Sequence, residues 1–134
     1  MATRADHVHS ARRPPKALEG KKVLDLACLE GHYTIEPVLA GAEGLGIEGR
    51  EPNLVKARFA AETLGLDRCH FVKDDVRNLS ALKYGTFDIV IASGILYHLD
   101  TPAALDFVAS IAEVCSDLAI VDTYVSTRPE VSIE

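Results

Sequence analysis

Apolar and polar positions alternate along the chain in a pattern that predicts strands separated by helices. Buried strands appear in a sequence as short runs rich in apolar residues. Five such runs are predicted to be strands, at residues 23–28, 44–48, 69–73, 87–92 and 118–121. Thr34 is placed to cap a first helix that runs to about Ala40, and residues 76–82 are predicted to form a short helix or turn.

Two longer helices are each predicted to begin at a proline, because the first turn of a helix needs no backbone N–H there. One begins at Pro52 and has an apolar face made of Leu54, Val55, Phe59 and Leu64. The other begins at Pro102, and its predicted buried side is Leu105, Val108, Ile111, Ala112 and Cys115.

Repeated alternation of strand and helix predicts right-handed βαβ units and therefore an α/β fold with a doubly wound parallel sheet. Ligands of such sheets bind beyond the carboxyl ends of the strands. Polar residues that directly follow a strand are therefore the candidate functional residues.

Length and charge divide the chain into a leader and one domain. The 134 residues suit a single domain, predicted at residues 21–134. Residues 1–20 are polar, include two adjacent prolines and are predicted to be a flexible basic leader. The net charge is −6, but residues 1–22 contribute +4 and the remainder −10. An acidic body binds nucleic acid poorly, although the leader leaves contact with RNA open.

The lack of a recognisable secretory signal and the spacing of the cysteines favour a cytoplasmic protein. The first ten residues lack the apolar stretch of a secretory signal, and no apolar run approaches the roughly 18 residues that span a membrane. The three cysteines, Cys28, Cys69 and Cys115, are widely spaced and form no metal-ligand pattern. They are predicted to be small buried hydrophobic residues in a reducing compartment. No metal and no membrane contact are expected.

Two strand ends form the general pattern of a nucleotide site, with a loop after the first strand and Glu48 at the end of the second. A carboxylate in that position can accept hydrogen bonds from ribose hydroxyls. A dinucleotide loop reads G-x-G-x-x-G, but its glycine places hold Ala27, Leu29 and His32. Glu30 lies where a diphosphate would bind, and like charges repel. A nucleotide-dependent oxidoreductase is therefore the less favoured alternative.

Four segments, each at the end of a predicted strand, resemble motifs of the class I S-adenosylmethionine (SAM)-dependent methyltransferases. They are residues 23–31 (an acid followed by G-x-G-x-G), 46–48 (the second motif), 71–79 (the adenine motif) and 87–99 (the fourth motif, ending in Leu-Tyr-His-Leu). The resemblance extends over about residues 20–125. It implies a Rossmann-like sheet of strand order 3-2-1-4-5 with SAM as the cofactor.

The resemblance also implies a role in SAM binding for individual residues. Asp25 would hold the methionine amino group through water or backbone, and Glu48 would bind both ribose hydroxyls. Asp75 would accept from the adenine amino group, while the Val76 amide would face a ring nitrogen. Ala27, Leu29 and Gly31 occupy the glycine places of the first motif, where the backbone would approach the cofactor closely. Gly49 or Arg50 would pack over the adenine ring. The chain carbonyl at Ser93 would accept a hydrogen bond from the methionine amine.

Each of these residues also has an interpretation that needs no cofactor. His98, at the mouth of the site, is a candidate proton acceptor, since histidine side chains titrate near neutral pH; alternatively it orders its own loop. Without a cofactor, the expected roles are a turn cap for Asp25, an ion pair with Arg50 for Glu48 and a buried hydroxyl for Ser93. Asp74 and Asp75 would then be solvated charges before a helix, one of them capping it, and this reading is favoured for Asp74.

The predicted function is SAM-dependent methyl transfer to an unidentified acceptor, a small molecule or an RNA base. The alternative is a SAM-binding module without turnover, which Leu29 favours because its side chain narrows the cofactor loop. Residues 123–134 leave no room for the helix and hairpin that follow the fifth strand in the family. The expectation is a truncated core, with the C-terminal hairpin missing. The apolar strand 118–121 would then be an open edge and is predicted to mediate self-association.

Overall fold

The computed structural model describes residues 16–127, and all five predicted strands lie in one parallel sheet. They are β1 (Lys22–Leu26), β2 (Glu43–Glu48), β3 (Cys69–Lys73), β4 (Phe87–Ser93) and β5 (Cys115–Asp122). Their order is β3-β2-β1-β4-β5, and every neighbouring pair is parallel. The predicted fold class and strand order are therefore confirmed.

Helices connect successive strands across the two faces of this sheet. They are α1 (His32–Leu39), α2 (Glu51–Thr63), α3 (Ala81–Tyr84) and α4 (Thr101–Val114), with 3₁₀ turns at Val76–Asn78 and Leu96–His98. Prolines lie in the first turns of α2 and α4, as predicted. The Asp100 carboxylate caps α4 by accepting a hydrogen bond of 3.1 Å from the Ala103 N–H, which satisfies one of the free donors of the first turn.

β1 is the central strand, and the direction of strand addition reverses beside it. On one side Asp25 pairs with Gly46 of β2, and on the other it pairs with Ile91 of β4. Open α/β sheets bind ligands in the crevice at this point of reversal. The loops after β1, β2 and β4 therefore surround the expected binding crevice.

Separate apolar clusters pack the sheet to its helices. The larger cluster contains Leu24, Leu26 and Val90 of the sheet with Phe107 and Ile111 of α4. A smaller one joins α1, α2 and β3 through Ile35, Val38, Ala61 and Cys69. Because side chains alternate along β1, Leu24 and Leu26 point toward α4 whereas Asp25 points toward α1.

The buried stripe of α2 differs from the predicted one. Leu54 is buried as expected, but its buried partners are Ala57 and Ala61, whereas the predicted Val55, Phe59 and Leu64 are more than half exposed. Residues 54, 57 and 61 follow the three-then-four spacing of a single helix face. The apolar face was predicted from the large residues of the helix, whereas in the structure the small residues Ala57 and Ala61 face the sheet.

A similar shift occurs in α4, where the buried residues are Phe107, Ile111 and Val114. Of the predicted set only Ile111 is buried. Leu105, Val108 and Ala112 are exposed and Cys115 is half-buried. The stripe 107-111-114 lies on the adjoining side of the helix because β4 and α3 contact that side. Of the cysteines, Cys28 and Cys69 are buried as predicted.

The two ends of the described chain differ in their surroundings. The Leu18 N–H donates to the Ala40 carbonyl at 3.0 Å, so residues 17–20 form a turn against the end of α1. Most of the predicted leader lies outside the described residues, and the domain boundary at residue 21 stays a prediction. In β5, Leu118, Ile120 and Val121 are each about half exposed. Among residues 16–127, no helix has the length and hydropathy needed to cross a membrane.

Candidate cofactor site

The loop after β1 turns sharply through three residues with left-handed backbone. Ala27, Leu29 and Gly31 have φ angles of 57°, 51° and 87°. They occupy the three glycine places of the first motif. Left-handed backbone costs a residue with a side chain about 1–2 kcal/mol. The loop therefore keeps the conformation of a glycine-rich turn although two of its three glycines are replaced.

Gly31 is the position of this loop where space as well as backbone angle excludes a side chain. A Cβ atom there would lie 2.8 Å from the Phe71 ring and 3.0 Å from the Ala57 Cβ. Such contacts are too close for ordinary packing. Gly31 lets α1 begin directly against β3 and α2, and so it supports the loop from behind.

Asp25 is buried beneath the loop and bonded to α1. Its Oδ2 accepts a hydrogen bond of 2.8 Å from the Thr34 hydroxyl, and both residues are buried. Burial raises the pKa of Asp25 to about 6; the Thr34 bond lowers this pKa, and the nearby negative charge of Glu48 raises it. The prediction that Thr34 caps the first helix is wrong, because α1 begins at His32 after Gly31 and the Thr34 hydroxyl bonds to Asp25 instead.

Glu48 connects the loops that follow β1 and β2. Its Oε2 accepts from the Leu29 N–H at 2.9 Å, and its Oε1 accepts from the Arg50 N–H at 2.9 Å. The residue is 5% exposed. A carboxylate has about four acceptor positions, so each oxygen retains capacity for a further donor. Arg50 is joined to Glu48 through its backbone N–H, in contrast to the side-chain ion pair that the sequence left open.

Two cavities adjoin at Ala27, which lines both. The first, about 420 Å³, lies at the ends of β2 and β3, with contributions from the loops after β1 and β4. It is lined by Ala27, Glu48, Gly49, Arg50, Lys73, Asp74, Asp75, Val76 and Ile95. The second, about 270 Å³, is bounded by Asp25, Ala27, Cys28, Leu29, Glu30, His32, Tyr33 and Ser93. Gly31 lies behind the loop, and the other nine predicted cofactor residues line one cavity or the other. A further cavity, between α2 and β3, is lined by none of them.

Neighbouring carboxylates at the end of β3 have different partners. Asp75 caps the 3₁₀ turn, because its Oδ1 accepts from the Arg77 N–H at 2.9 Å. The Arg77 guanidinium also donates to Asp75 Oδ2 at 2.6 Å, and these bonds lower the pKa of Asp75. The prediction of a solvated charge at Asp74 is wrong: its side chain is 11% exposed and accepts hydrogen bonds from Asn78, Lys83 and Tyr84.

Ser93 ends β4 and lines the second cavity, and His98 lies in the 3₁₀ turn that follows. The Ser93 hydroxyl donates to Asp122 Oδ2 at the end of β5, at 3.2 Å. His98 is exposed in the turn before α4 and lines neither cavity. Its ring lies 4.5 Å from the Tyr97 ring, which lies 4.7 Å from the Tyr124 ring. His98 thus belongs to an exposed row of three rings.

A family model described as "Methyltransferase domain" matches residues 17–127, nearly the whole of the described fold. The chain belongs to the methyltransferase domain family. The resemblance to class I SAM-dependent methyltransferases found in the motifs is thereby confirmed.

Individual relatives share the fold and part of the sequence. This methyltransferase domain is 35% identical over 102 residues to a ubiquinone biosynthesis O-methyltransferase of Psychrobacter arcticus, covering 75% of the chain but 38% of that protein. It is 34% identical over 89 residues to a tRNA U34 carboxymethyltransferase of Idiomarina loihiensis, covering 63% of the chain and 27% of that protein. The chain thus spans well under half the length of these relatives.

Solved structures with bound SAM or S-adenosylhomocysteine (SAH) have the same fold. The N-terminal domain of EvdMO1 with SAH bound superimposes with a TM-score of 0.67 at 32% identity, covering 73% of this chain and 41% of that one. A magnesium protoporphyrin IX methyltransferase from Synechocystis with bound SAM gives a TM-score of 0.65 at 25% identity, covering 75% and 47%.

Sequence reasoning missed several residues of the methyltransferase domain that border the site. Ile95 and Lys73 line the first cavity, and both lie within segments that resemble family motifs, residues 87–99 and 71–79. That position was the available signal for them. Thr34 and Tyr84 are different, because they reach Asp25 and Asp74 from helices, and no local pattern in the sequence pairs them.

Proposed function

We propose that this chain binds SAM across the two adjoining cavities and belongs to an enzyme that transfers the SAM methyl group to an acceptor. The observation that supports this most strongly is the placement of one buried carboxylate on each side of Ala27. Glu48 lies on the larger cavity and Asp25 on the smaller. SAM has a neutral nucleoside at one end, a zwitterionic methionine moiety at the other and a cationic sulfonium between them, so that its net charge is positive and it has no phosphate. Two acidic walls and no phosphate-binding loop suit that charge distribution.

The larger cavity suits the adenosine moiety. Glu48 has free acceptor capacity toward the cavity, and we assign it both ribose hydroxyls. Asp75 and the Val76 N–H are assigned to the adenine amino group and a ring nitrogen. Ile95 supplies apolar surface to the same cavity, where Gly49 and Arg50 cover the purine; an arginine over an aromatic ring adds a cation–π attraction.

The smaller cavity suits the methionine moiety. Asp25 is assigned to the methionine ammonium through water or backbone, because its side chain is enclosed and already bonded to Thr34. The backbone at Ala27 and Leu29 borders this cavity and lets the cofactor approach closely, with Gly31 supporting the loop from behind, and the chain carbonyl at Ser93 accepts from the ammonium. Leu29 is 63% exposed, so its side chain can lie beside the cofactor rather than within the loop.

Bound SAM supplies an electrophilic methyl group: the acceptor atom forms a bond to that carbon while the carbon–sulfur bond breaks and leaves its electron pair on sulfur, giving SAH. The protein contributes position and exclusion of water. We assign removal of the acceptor proton to His98, which is exposed in the turn between β4 and α4, because an imidazole is the side chain best suited to accept protons near neutral pH. This role matters for an O–H or N–H acceptor.

A small molecule is the favoured acceptor, and an RNA base is the alternative. One relative is named for O-methylation and another for a tRNA, so their names support both classes. The charge of −10 over residues 23–134 favours the small molecule, because an acidic surface repels phosphates. The three free cysteines support a cytoplasmic location.

Methyl transfer and simple SAM binding are separated by one pair of experiments. Calorimetry with SAM and SAH tests binding. Incorporation of the labelled methyl group of SAM into candidate phenols and into tRNA tests transfer. Binding with transfer supports the enzyme, and binding without any transfer supports a SAM-binding module. Binding of NADH, detected by its fluorescence, would instead favour an oxidoreductase, and we expect no signal.

We further propose that the chain self-associates through β5. The strand is paired on one side to β4, and its apolar residues Leu118, Ile120 and Val121 are about half exposed. An apolar edge strand offers unpaired backbone groups to another strand. Sedimentation of the chain should show a dimer that Ile120→Lys converts to monomer; a monomer at every concentration would contradict the proposal.

A further inference from the structure

Asp74 occupies the junction between the ends of β2 and β3. Its backbone N–H donates to the Glu48 carbonyl at 3.2 Å, and its carbonyl lies 3.8 Å from where a Cβ of Gly49 would be. On its other side is Asp75. Asp74 therefore separates the residue assigned to the ribose from the residue assigned to the adenine amino group, and it lines the same cavity.

The Asp74 carboxylate collects four donors. Oδ1 accepts from the Asp75 N–H and from Asn78 Nδ2, both at 2.8 Å. Oδ2 accepts from Lys83 Nζ at 2.6 Å and from the Tyr84 hydroxyl. Two carboxylate oxygens provide about four acceptor positions. All of them are occupied by the protein, so this carboxylate has no capacity left for a cofactor.

The donors come from separate parts of the chain. Lys83 and Tyr84 belong to α3, whereas Asn78 ends the 3₁₀ turn and Asp75 directly precedes it. Tyr84 also packs against the larger apolar cluster, which fixes the position of α3. Asp74 thus ties the turn that carries Asp75 and Val76 to a helix anchored in the core. These bonds keep the pKa of Asp74 well below its usual range, so the carboxylate stays charged.

Asp75, in contrast, has a single side-chain partner, Arg77, in the hydrogen bonds described for the residue. Its side chain is 41% exposed and the Arg77 side chain 64% exposed. Within residues 16–127, three donors reach the two oxygens of Asp75, namely the N–H, Nε and Nη2 of Arg77, so about one of its four acceptor positions is free. Of the two adjacent carboxylates, Asp75 can therefore admit a new donor from the cavity whereas Asp74 cannot.

We propose that Asp74 is a positioning residue that sets the selectivity of the site for the purine amino group. It holds the turn so that the Asp75 carboxylate and the Val76 N–H face the purine together. The proposal rests on the assignment of the larger cavity to adenosine. It adds that the selectivity depends on α3, through Tyr84 and Lys83, although neither of these residues lines the cavity.

The test compares SAH with its 6-deamino analogue, whose purine lacks the amino group alone. Calorimetry of the full chain gives the ratio of the two dissociation constants for wild type, Asp74→Asn and Tyr84→Phe. Asp74→Asn keeps the size of the side chain, and Tyr84→Phe removes one hydroxyl. The matched control is Asp106→Asn, an equal charge change at an exposed position of α4. Thermal unfolding confirms that each variant is folded at the assay temperature.

We expect wild type and Asp106→Asn to prefer SAH over the analogue. Asp74→Asn and Tyr84→Phe should each lower the affinity for SAH about fivefold, which corresponds to the weakening of one hydrogen bond. The affinity for the analogue should change little, so the preference for SAH over the analogue should decrease. An equal loss for both ligands would reduce Asp74 to a structural role and overturn the proposal, as would unchanged preference. Failure of wild type to bind SAH would instead refute the proposed function.

Discussion

Replacing Glu48 with alanine removes the carboxylate on which both the loop and the ribose assignment depend. The side chain accepts the Leu29 and Arg50 N–H groups at 2.9 Å each. It is 5% exposed, so water reaches these groups poorly in the intact protein. Glu48→Ala therefore has two separate consequences, one for stability and one for cofactor affinity.

The magnitudes follow from the two sets of hydrogen bonds. A buried donor left without a partner costs about 1–3 kcal/mol, and water entering the space left by the side chain will reduce that cost for the two N–H groups. A hydrogen bond to a charged acceptor is worth about 1.5–3 kcal/mol. Losing even one such bond to a ribose hydroxyl weakens binding at least tenfold.

Calorimetry with SAH measures the affinity, and thermal unfolding without ligand measures the stability. Glu43→Ala is the matched control, because it removes an equal charge from the opposite end of β2. We expect Glu48→Ala to lower the melting temperature and to bind SAH at least tenfold more weakly, while the control binds as wild type does. Unchanged SAH affinity in folded Glu48→Ala would remove this residue from the site and refute the ribose assignment.

Three further predictions concern the loop after β1 and the residue beneath it. Leu29→Gly should raise the free energy of unfolding by up to about 1 kcal/mol in denaturant titration, because glycine relieves the left-handed strain at φ 51°; a loss of stability would show that the exposed leucine makes a compensating contact. Gly31→Ala should lower it by about 1–3 kcal/mol, since its Cβ would meet the Phe71 ring at 2.8 Å. The pKa of Asp25 is raised from 3.8 to about 6, so the folded state binds this proton more tightly than the unfolded state. The resulting contribution to the free energy of unfolding is fully present below pH 3.8 and is lost as the pH rises through 6. Asp25→Asn should therefore flatten the stability profile between pH 4 and 6, and wild type should lose SAM affinity below pH 6, where protonation removes the charge that attracts the ammonium; a profile unchanged by the substitution would contradict the assignment of this pKa.

The strands and the parallel sheet were predictable because buried parallel strands need apolar runs and because strand-helix alternation produces βαβ units. The strand order came from the resemblance to class I SAM-dependent methyltransferases. Helix faces were less predictable. In α2 the sheet approaches closely enough that Ala57 and Ala61 occupy the interface, and small residues give a weak apolar signal. A sequence pattern that favours large side chains therefore selected Val55 and Phe59, which face outward.

The crevice of the candidate site was predictable from position, since parallel strands bring their carboxyl ends to one edge, whereas the role proposed for each residue came from the resemblance to class I SAM-dependent methyltransferases. The partners that orient these residues were not predictable. Thr34 reaches Asp25 across nine positions, and Tyr84 reaches Asp74 across ten. Both pairs depend on how a helix docks against the sheet. Consequently Asp74 has the pattern of a solvated charge in the sequence but is a hydrogen-bonded centre in the structure.

Titration of the chain with SAH in a calorimeter tests directly whether the two adjoining cavities bind the cofactor. We expect saturable binding at one site per chain, weakened at least tenfold in Glu48→Ala and unchanged in Glu43→Ala. At about 1 mM SAH, a site with a binding free energy of about −4 kcal/mol is half filled. A folded wild-type chain that shows no binding at this concentration would contradict the proposed SAM site.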